Sequence, residues 1–378
     1  MEPESQPTNP ALQTKAAERV GLAQAHTGLP EADLMERIFL GSDGLRTGWL
    51  VIVFAVLWRY LPMFVASFLF FGNLIEPEPT YTAMDSLFRE LALVLGQVGA
   101  VAVAMLLEQR SRNPLNFNLM GPRRGVRFAA GLGAGFVAIA ALIIMLKAGG
   151  WLTLAPSGQN AGQILKYALL WGLTFLMVGF FEEGTFRCYL LATFTRGINL
   201  WWALAIQAST CGYLLWQPKG NGAWGVYIIA LAGLAPCVWL YSKRAESTGF
   251  WLAAWVTSTL FGFVHLNNNG ENPVGIFAAA AIGFVFVVSV RLTGSAWWAI
   301  GFHAAWDWTE TFFFGTADSG MPAVGSYLVS KPAGNVFWSG GTDGPEGSVL
   351  VLAVVLLVLV AIIAVYGRRK TEVAQLAA

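Results

Sequence analysis

The sequence predicts an all-α, polytopic transmembrane helix bundle with about ten spans, and three observations carry that prediction. Of the 378 residues, 56% are hydrophobic and only 12% are charged, where soluble domains carry about 25% charged residues. Apolar runs near the ~20 residues that a bilayer crossing needs recur along the chain. Basic residues gather in alternate loops between those runs, as the positive-inside bias requires. Net charge is +1 with no basic stripe, which excludes a nucleic-acid partner and leaves the lipid bilayer as the surroundings to satisfy.

Residues 1–47 are polar and lack the basic start, apolar core and small-residue cleavage site of a signal peptide. They read as a partly disordered cytoplasmic segment, in which Glu31 to Leu40 has the apolar spacing of a short helix, lying on the membrane or leading into the first span. The spans then run Gly48 to Phe71, Leu91 to Leu107, Phe128 to Leu146, Ile164 to Phe181, Trp201 to Trp216, Trp224 to Tyr241, Trp251 to Leu266, Val274 to Val290, Trp297 to Phe314 and Ser348 to Tyr366. Residues 316–347, rich in Gly, Ser and Pro, read as an irregular extracytoplasmic loop without chemistry of its own. The last segment, 348–378, is a span followed by a basic cytoplasmic tail. Cys188, Cys211 and Cys237 show no CxxC spacing and read as packing residues.

Orientation follows from the charges. Arg110, Arg112, Arg123, Arg124 and Arg127 follow the second span, Arg187 and Arg196 the fourth, Lys243 and Arg244 the sixth, Arg291 the eighth, and Arg368, Arg369 and Lys370 the tenth. The alternate loops carry little, with Arg89 outnumbered by Glu76, Glu78, Asp85 and Glu90. This places both termini in the cytoplasm of a multi-pass protein of the plasma (inner) membrane.

Polar residues inside apolar runs mark the candidate site, because an ionisable group at the bilayer centre costs roughly 2.5–3.5 kcal/mol on insertion scales. Glu182 and Glu183 close the run from Leu169 to Phe181. Glu183 and Arg187 have the i, i+4 spacing of a helical ion pair. Glu182 is turned about 100° away, and a desolvated carboxylate there suits a general base. His265 shares a helix face with Phe261, and His303 forms a polar stripe with Asp307 and Glu310. Gln207, a lone amide in an apolar helix, reads as a tie between helices.

Together these elements resemble the CPBP family of intramembrane proteases, also called the Abi or type II CAAX prenyl endopeptidase family. Its pattern of EExxxR, then FxxxH, then HxxxN or HxxxD is met by Glu182-Glu183 with Arg187, Phe261 with His265, and His303 with Asp307. The resemblance covers about Leu165 to Phe314. It implies a protease core at 161–315, preceded by N-terminal transmembrane helices at 48–160. The 77 residues between Arg187 and His265 hold an inserted helix pair. It further implies that Glu182 activates the attacking water, that Glu183 and Arg187 support it, and that His265, His303 and Asp307 complete the centre of an intramembrane, CAAX-protease-like endopeptidase. The substrate would be a membrane-bound or lipidated peptide. His265, His303 and Asp307 form an acceptable zinc set, yet the same groups could polarise a scissile carbonyl without a metal; the cofactor stays open between these.

Two other classes stay open on the residues alone: a non-catalytic membrane immunity or partner-binding protein, and a cation- or proton-coupled transporter. The span limits also set a condition. They put Glu182 near the cytoplasmic end of one span and His265 near the outer end of another. A shared site requires the glutamate helix to continue through Leu190, or the Phe261 helix to be broken or tilted, since irregular backbone survives at membrane depth only inside a protein cavity.

Overall fold

The computed structural model describes residues 38–41, 44–74, 82–108, 117–216, 223–268, 270–321 and 324–367. Most of the 1–47 segment, the charges at Glu76, Glu78, Arg110 and Arg112, Asn269 and the basic run 368–370 lie outside them, as does the side chain of Cys211. Ten helices cover the ten predicted spans: α1 (Thr47–Phe71), α2 (Ala83–Leu107), α3 (Arg124–Ala148), α4 (Ala161–Gly197), α5 (Leu200–Trp216), α6 (Ala223–Ser242), α7 (Thr248–Val264), α8 (Pro273–Thr293), α9 (Trp297–Trp308, continued as a π-helix over Thr309–Phe314) and α10 (Leu350–Gly367). Six of them, α1, α2, α3, α4, α8 and α10, are long and apolar enough to cross a membrane. The protein is a multi-pass helical membrane bundle.

Two antiparallel strand pairings depart from an all-α reading. Strand β1 (Leu152–Pro156) pairs antiparallel with β2 (Leu328–Pro332), and Leu40–Gly41 pairs with Gly44–Leu45. The first pairing organises part of the 316–347 loop, which was expected to be irregular.

Helix starts follow local capping. At α2, Thr82 accepts from the backbone of Met84, and the Asp85 carboxylate accepts from the backbone of Thr82. This reciprocal cap starts the helix eight residues before the predicted Leu91 and draws Asp85, Arg89 and Glu90 out of the loop into the helix. Asn160 and Gln163 form the same cap at α4, each side chain meeting the other's backbone at 3.0 Å. Asn272 caps α8 ahead of Pro273, whose missing N–H costs nothing at the first helical position.

In lipid, apolar burial gives helices little reason to associate, so close approach of small residues must supply the packing energy. The α3–α9 contact is built this way. A Cβ at Gly131 would lie 2.2 Å from the carbonyl oxygen of Trp298, one at Gly135 2.2 Å from that of Phe302, and one at Gly301 2.3 Å from that of Phe128. Backbone therefore meets backbone along α9, which also packs on α4 and α8. As anticipated, Gln207 of α5 donates to Thr259 Oγ1 of α7 and ties the two helices together.

Candidate active site

Helix α4 runs continuously through the acidic pair. Its 37 residues comprise α-helix over Ala161–Glu183, a π-helical stretch over Gly184–Leu190 and a last α-helical part over Leu191–Gly197. The predicted end at Phe181 is corrected accordingly, and Glu182 falls within the helix rather than just past its end. The reason is charge compensation. Glu183 and Arg187 are both fully buried, with Arg187 Nε 3.1 Å from Glu183 Oε2. The guanidinium lies 4.0 Å over the ring centre of Phe261 and 5.2 Å over that of Phe286, an arrangement worth about 2 kcal/mol or more when desolvated. Gly283 makes the room: a Cβ there would sit 2.6 Å from Arg187 Nη2. Arg187 is therefore a core residue and drops out of the charges that report orientation.

Widening a helix to π geometry disturbs its carbonyl ladder, and side chains meet the affected oxygens. Gln97 Nε2 donates to the Phe181 carbonyl at 2.7 Å and to Thr185 Oγ1 at 2.8 Å. Trp58 Nε1 also donates to Thr185 Oγ1, at 3.0 Å. Asn118 Nδ2 donates to the Arg187 carbonyl at 2.7 Å. Neither Gln97 nor Asn118 stood out in the sequence, because the α4 carbonyls they meet lie 84 and 69 positions along the chain.

His303 of α9 meets this turn. Its Nδ1 lies 2.9 Å from Glu183 Oε1; the carboxylate can only accept, so Nδ1 carries the proton. Nε2 is then left 3.7 Å from Glu182 Oε2 and 3.5 Å from Asp307 Oδ2. Glu183 thus has a second task besides its ion pair with Arg187: it sets the tautomer and orientation of His303. Glu182, whose side chain keeps 24% of its exposure, faces a cavity of about 680 Å³ that His303 and Asp307 also line.

His265 lines the same cavity from the 3₁₀ turn that follows α7, His265–Asn267. Its Nδ1 donates to the Phe261 carbonyl at 2.7 Å, leaving Nε2 free as an acceptor. The Phe261 ring packs on both histidines, with centroids 4.8 Å from His265 and 6.1 Å from His303. Of the two alternatives a shared site requires, the structure takes the first: α4 continues through Leu190, while α7 gives way to the 3₁₀ turn at His265. Glu182, Glu183, Arg187, His303 and Asp307 are brought into one contact network, and His265 joins them across the cavity.

The rest of the cavity was not anticipated. Glu90, Glu271, Asp318 and Glu346 line it together with the apolar Trp171, Phe175, Val178, Phe286, Val351 and Val355. Asp318 and Glu346 come from the loop that was expected to carry no chemistry. Burial, then repulsion from Glu346, pushes Asp318 up to about 8. Burial and the neighbouring Asp343 push Glu271 up to about 8, and burial with Glu346 pushes Asp343 up to about 7. The one signal in the sequence was the presence of acids in a segment of Gly, Ser and Pro. Among the described residues, the His, Cys and acidic side chains that bring three ligand atoms within 4.8 Å of one another are Glu310, Asp318 and Glu346, a group separate from His265, His303 and Asp307.

A family model described as type II CAAX prenyl endopeptidase Rce1-like matches the chain over two overlapping stretches, residues 164–246 and 237–309. No curated protein and no solved structure matches it. The matched residues contain the acidic turn of α4, His265, His303, Asp307 and helices α5 and α6.

Proposed function

The chain carries an Rce1-like domain, of a family of membrane CAAX endopeptidases, and from that premise we propose that Glu182, His303 and Asp307 hydrolyse a peptide bond inside the bundle. The observation that carries this reading is the environment of His303: one ring nitrogen fixed by Glu183, the other turned to Glu182 and Asp307 at the wall of the cavity.

Glu182 Oε2 is buried and accepts no hydrogen bond. Water held on it would lose a proton to the carboxylate as its oxygen attacks the scissile carbonyl, the role of a general base. His303 Nε2, when protonated, donates to the developing oxyanion or returns a proton to the leaving amine; its Nδ1–H bond to Glu183 holds the ring for that purpose. Asp307 stabilises the protonated ring from the cavity side. His265, with Nε2 free, contributes a second polar contact to the substrate carbonyl or its water. Arg187 and Phe261 are positioning residues that act through Glu183 and the two imidazoles.

The cavity volume is in the range of small-molecule sites, and its walls combine this polar centre with aromatic and aliphatic side chains. That mixture suits a lipidated or otherwise membrane-tethered peptide, the apolar part seated against Trp171, Phe175 and Val355. We further assign the protein to the inner membrane with both termini cytoplasmic, from the basic residues at Arg123, Arg124, Arg127, Lys243 and Arg244.

The test is cleavage of a peptide library, farnesylated and unmodified, by purified wild type beside Glu182→Ala and His303→Ala. Cleavage by wild type and loss in both variants is expected. Equal cleavage by all three proteins would sink the mechanism, and no cleavage by wild type would turn the reading toward a binding function.

A further inference from the structure

We propose that Glu310, Asp318 and Glu346 form a binding site for a hard divalent cation of the calcium type, which ties the 316–347 loop to the end of α9. The proposal goes beyond peptide hydrolysis and uses none of the residues assigned to it.

Glu310 sits in the π-helical end of α9 and is fully buried. Neither of its carboxylate oxygens has a hydrogen-bond partner. A buried carboxylate without a donor or a countercharge is among the costliest groups a protein can enclose. Its ligand atom nevertheless comes within 4.8 Å of those of Asp318 and Glu346. Among the described residues, no Lys, Arg or His forms an ion pair with any of the three.

The neighbours orient these carboxylates without neutralising them. Trp306 Nε1 donates to Glu346 Oε1 at 2.9 Å and Ser319 Oγ to Glu346 Oε2 at 2.9 Å, while Thr311 Oγ1 donates to Asp318 Oδ2 at 3.2 Å. All three are neutral donors, and each leaves a lone pair on the oxygen it meets. Oxygens bound at 2.3–2.6 Å to one Ca²⁺ lie at most about 5 Å apart, which accommodates the observed spacing; an all-carboxylate set is a poor match for zinc or copper.

The placement gives the cation a consequence. Asp318 and Glu346 stand at opposite ends of the loop, and Glu310 is the fixed point between them. The Thr316 backbone and hydroxyl already hold the Glu310 carbonyl, each at 3.0 Å. A bound cation closes this end of the loop on α9, beside a cavity that Asp318 and Glu346 line.

The experiment uses the full-length protein in detergent, stripped with a chelator and then titrated with CaCl₂, MgCl₂ or ZnCl₂. Melting temperature is followed in each titration, and bound radiolabelled calcium is counted by equilibrium dialysis. A saturable rise in melting temperature with calcium is expected, together with about one calcium per chain and an affinity loss of about tenfold or more in Glu310→Gln and in Asp318→Asn. Glu310→Gln should melt close to wild type after chelation, because the amide matches the carboxyl in shape and carries no charge into the buried site, so its loss of calcium is read in a folded protein. No calcium retained by wild type, undiminished retention in both variants, or a preference for zinc would overturn the proposal. The readout is binding and melting, so its outcome is independent of whether any peptide is cleaved.

Discussion

Two sets of buried acids stand around one cavity and are balanced in opposite ways. In the α4–α9 centre, Glu183 has Arg187 at 3.1 Å and His303 at 2.9 Å, with aromatic faces around the guanidinium. At the loop end, Glu310, Asp318 and Glu346, with Glu271 and Asp343 nearby, have neutral donors or each other. The first set carries its countercharge within the chain and can be held in lipid with a fixed geometry. The second depends on protons or on an added cation, and its charge state therefore follows the medium. The lesson is that buried carboxylates must be read together with what neutralises them.

The contrast can be broken most severely at Arg187. Arg187→Met would leave Glu183 buried without its guanidinium countercharge, held only by the His303 ring, and a melting-temperature or denaturant measurement should register a loss of about 3–5 kcal/mol. Stability within about 1 kcal/mol of wild type would show that the centre is not charge-balanced as described. A smaller effect is expected where α9 leans on α3: Gly301→Val forces side-chain atoms into the Phe128 carbonyl and should cost about 1–3 kcal/mol. Because α9 carries His303, activity should fall further than stability; an unchanged kcat would separate the helix contact from the site.

The mildest probe sharpens the other half of the contrast. Glu271 titrates at about 8 in the folded protein, against about 4.3 in an unfolded chain. Between those values the folded state holds a proton that the unfolded state has lost, so this contribution to stability is present below about pH 4 and is lost as pH rises through 8. Melting temperature should decline from pH 6 to pH 9 in chelator, and Glu271→Gln should make the decline shallower. A steeper decline in the variant would contradict the assignment.

Much of the α4–α9 centre was legible in the sequence because its parts are spaced within single helices. Glu183 and Arg187, and His303 and Asp307, are i, i+4 pairs, and intramembrane charges stand out against apolar runs. What joins the helices was not legible. The contact of His303 with Glu183 spans 120 positions, and nothing in either helix alone selects Glu183 over Glu182 as its partner. The π turn was hidden for a related reason: it depends on Gln97 and Asn118, which lie on other segments. The end at Phe181 follows from counting the charges after it as the close of an apolar run, but Glu183 and Arg187 neutralise each other in the core and the helix carries on past them. The loop acids escaped notice because the pairing of β1 with β2 joins segments far apart in the chain, and no periodicity reports it.

The central claim is that Glu182 activates the water. Initial rates of cleavage of one lipidated peptide by wild type and by Glu182→Gln, in the same detergent and at matched melting temperature, test it directly. The isosteric change keeps the shape of the site and removes the base, so the rate should fall by about 10²–10⁴-fold with melting unchanged. A Glu182→Gln enzyme cleaving within about threefold of wild type would contradict the claim.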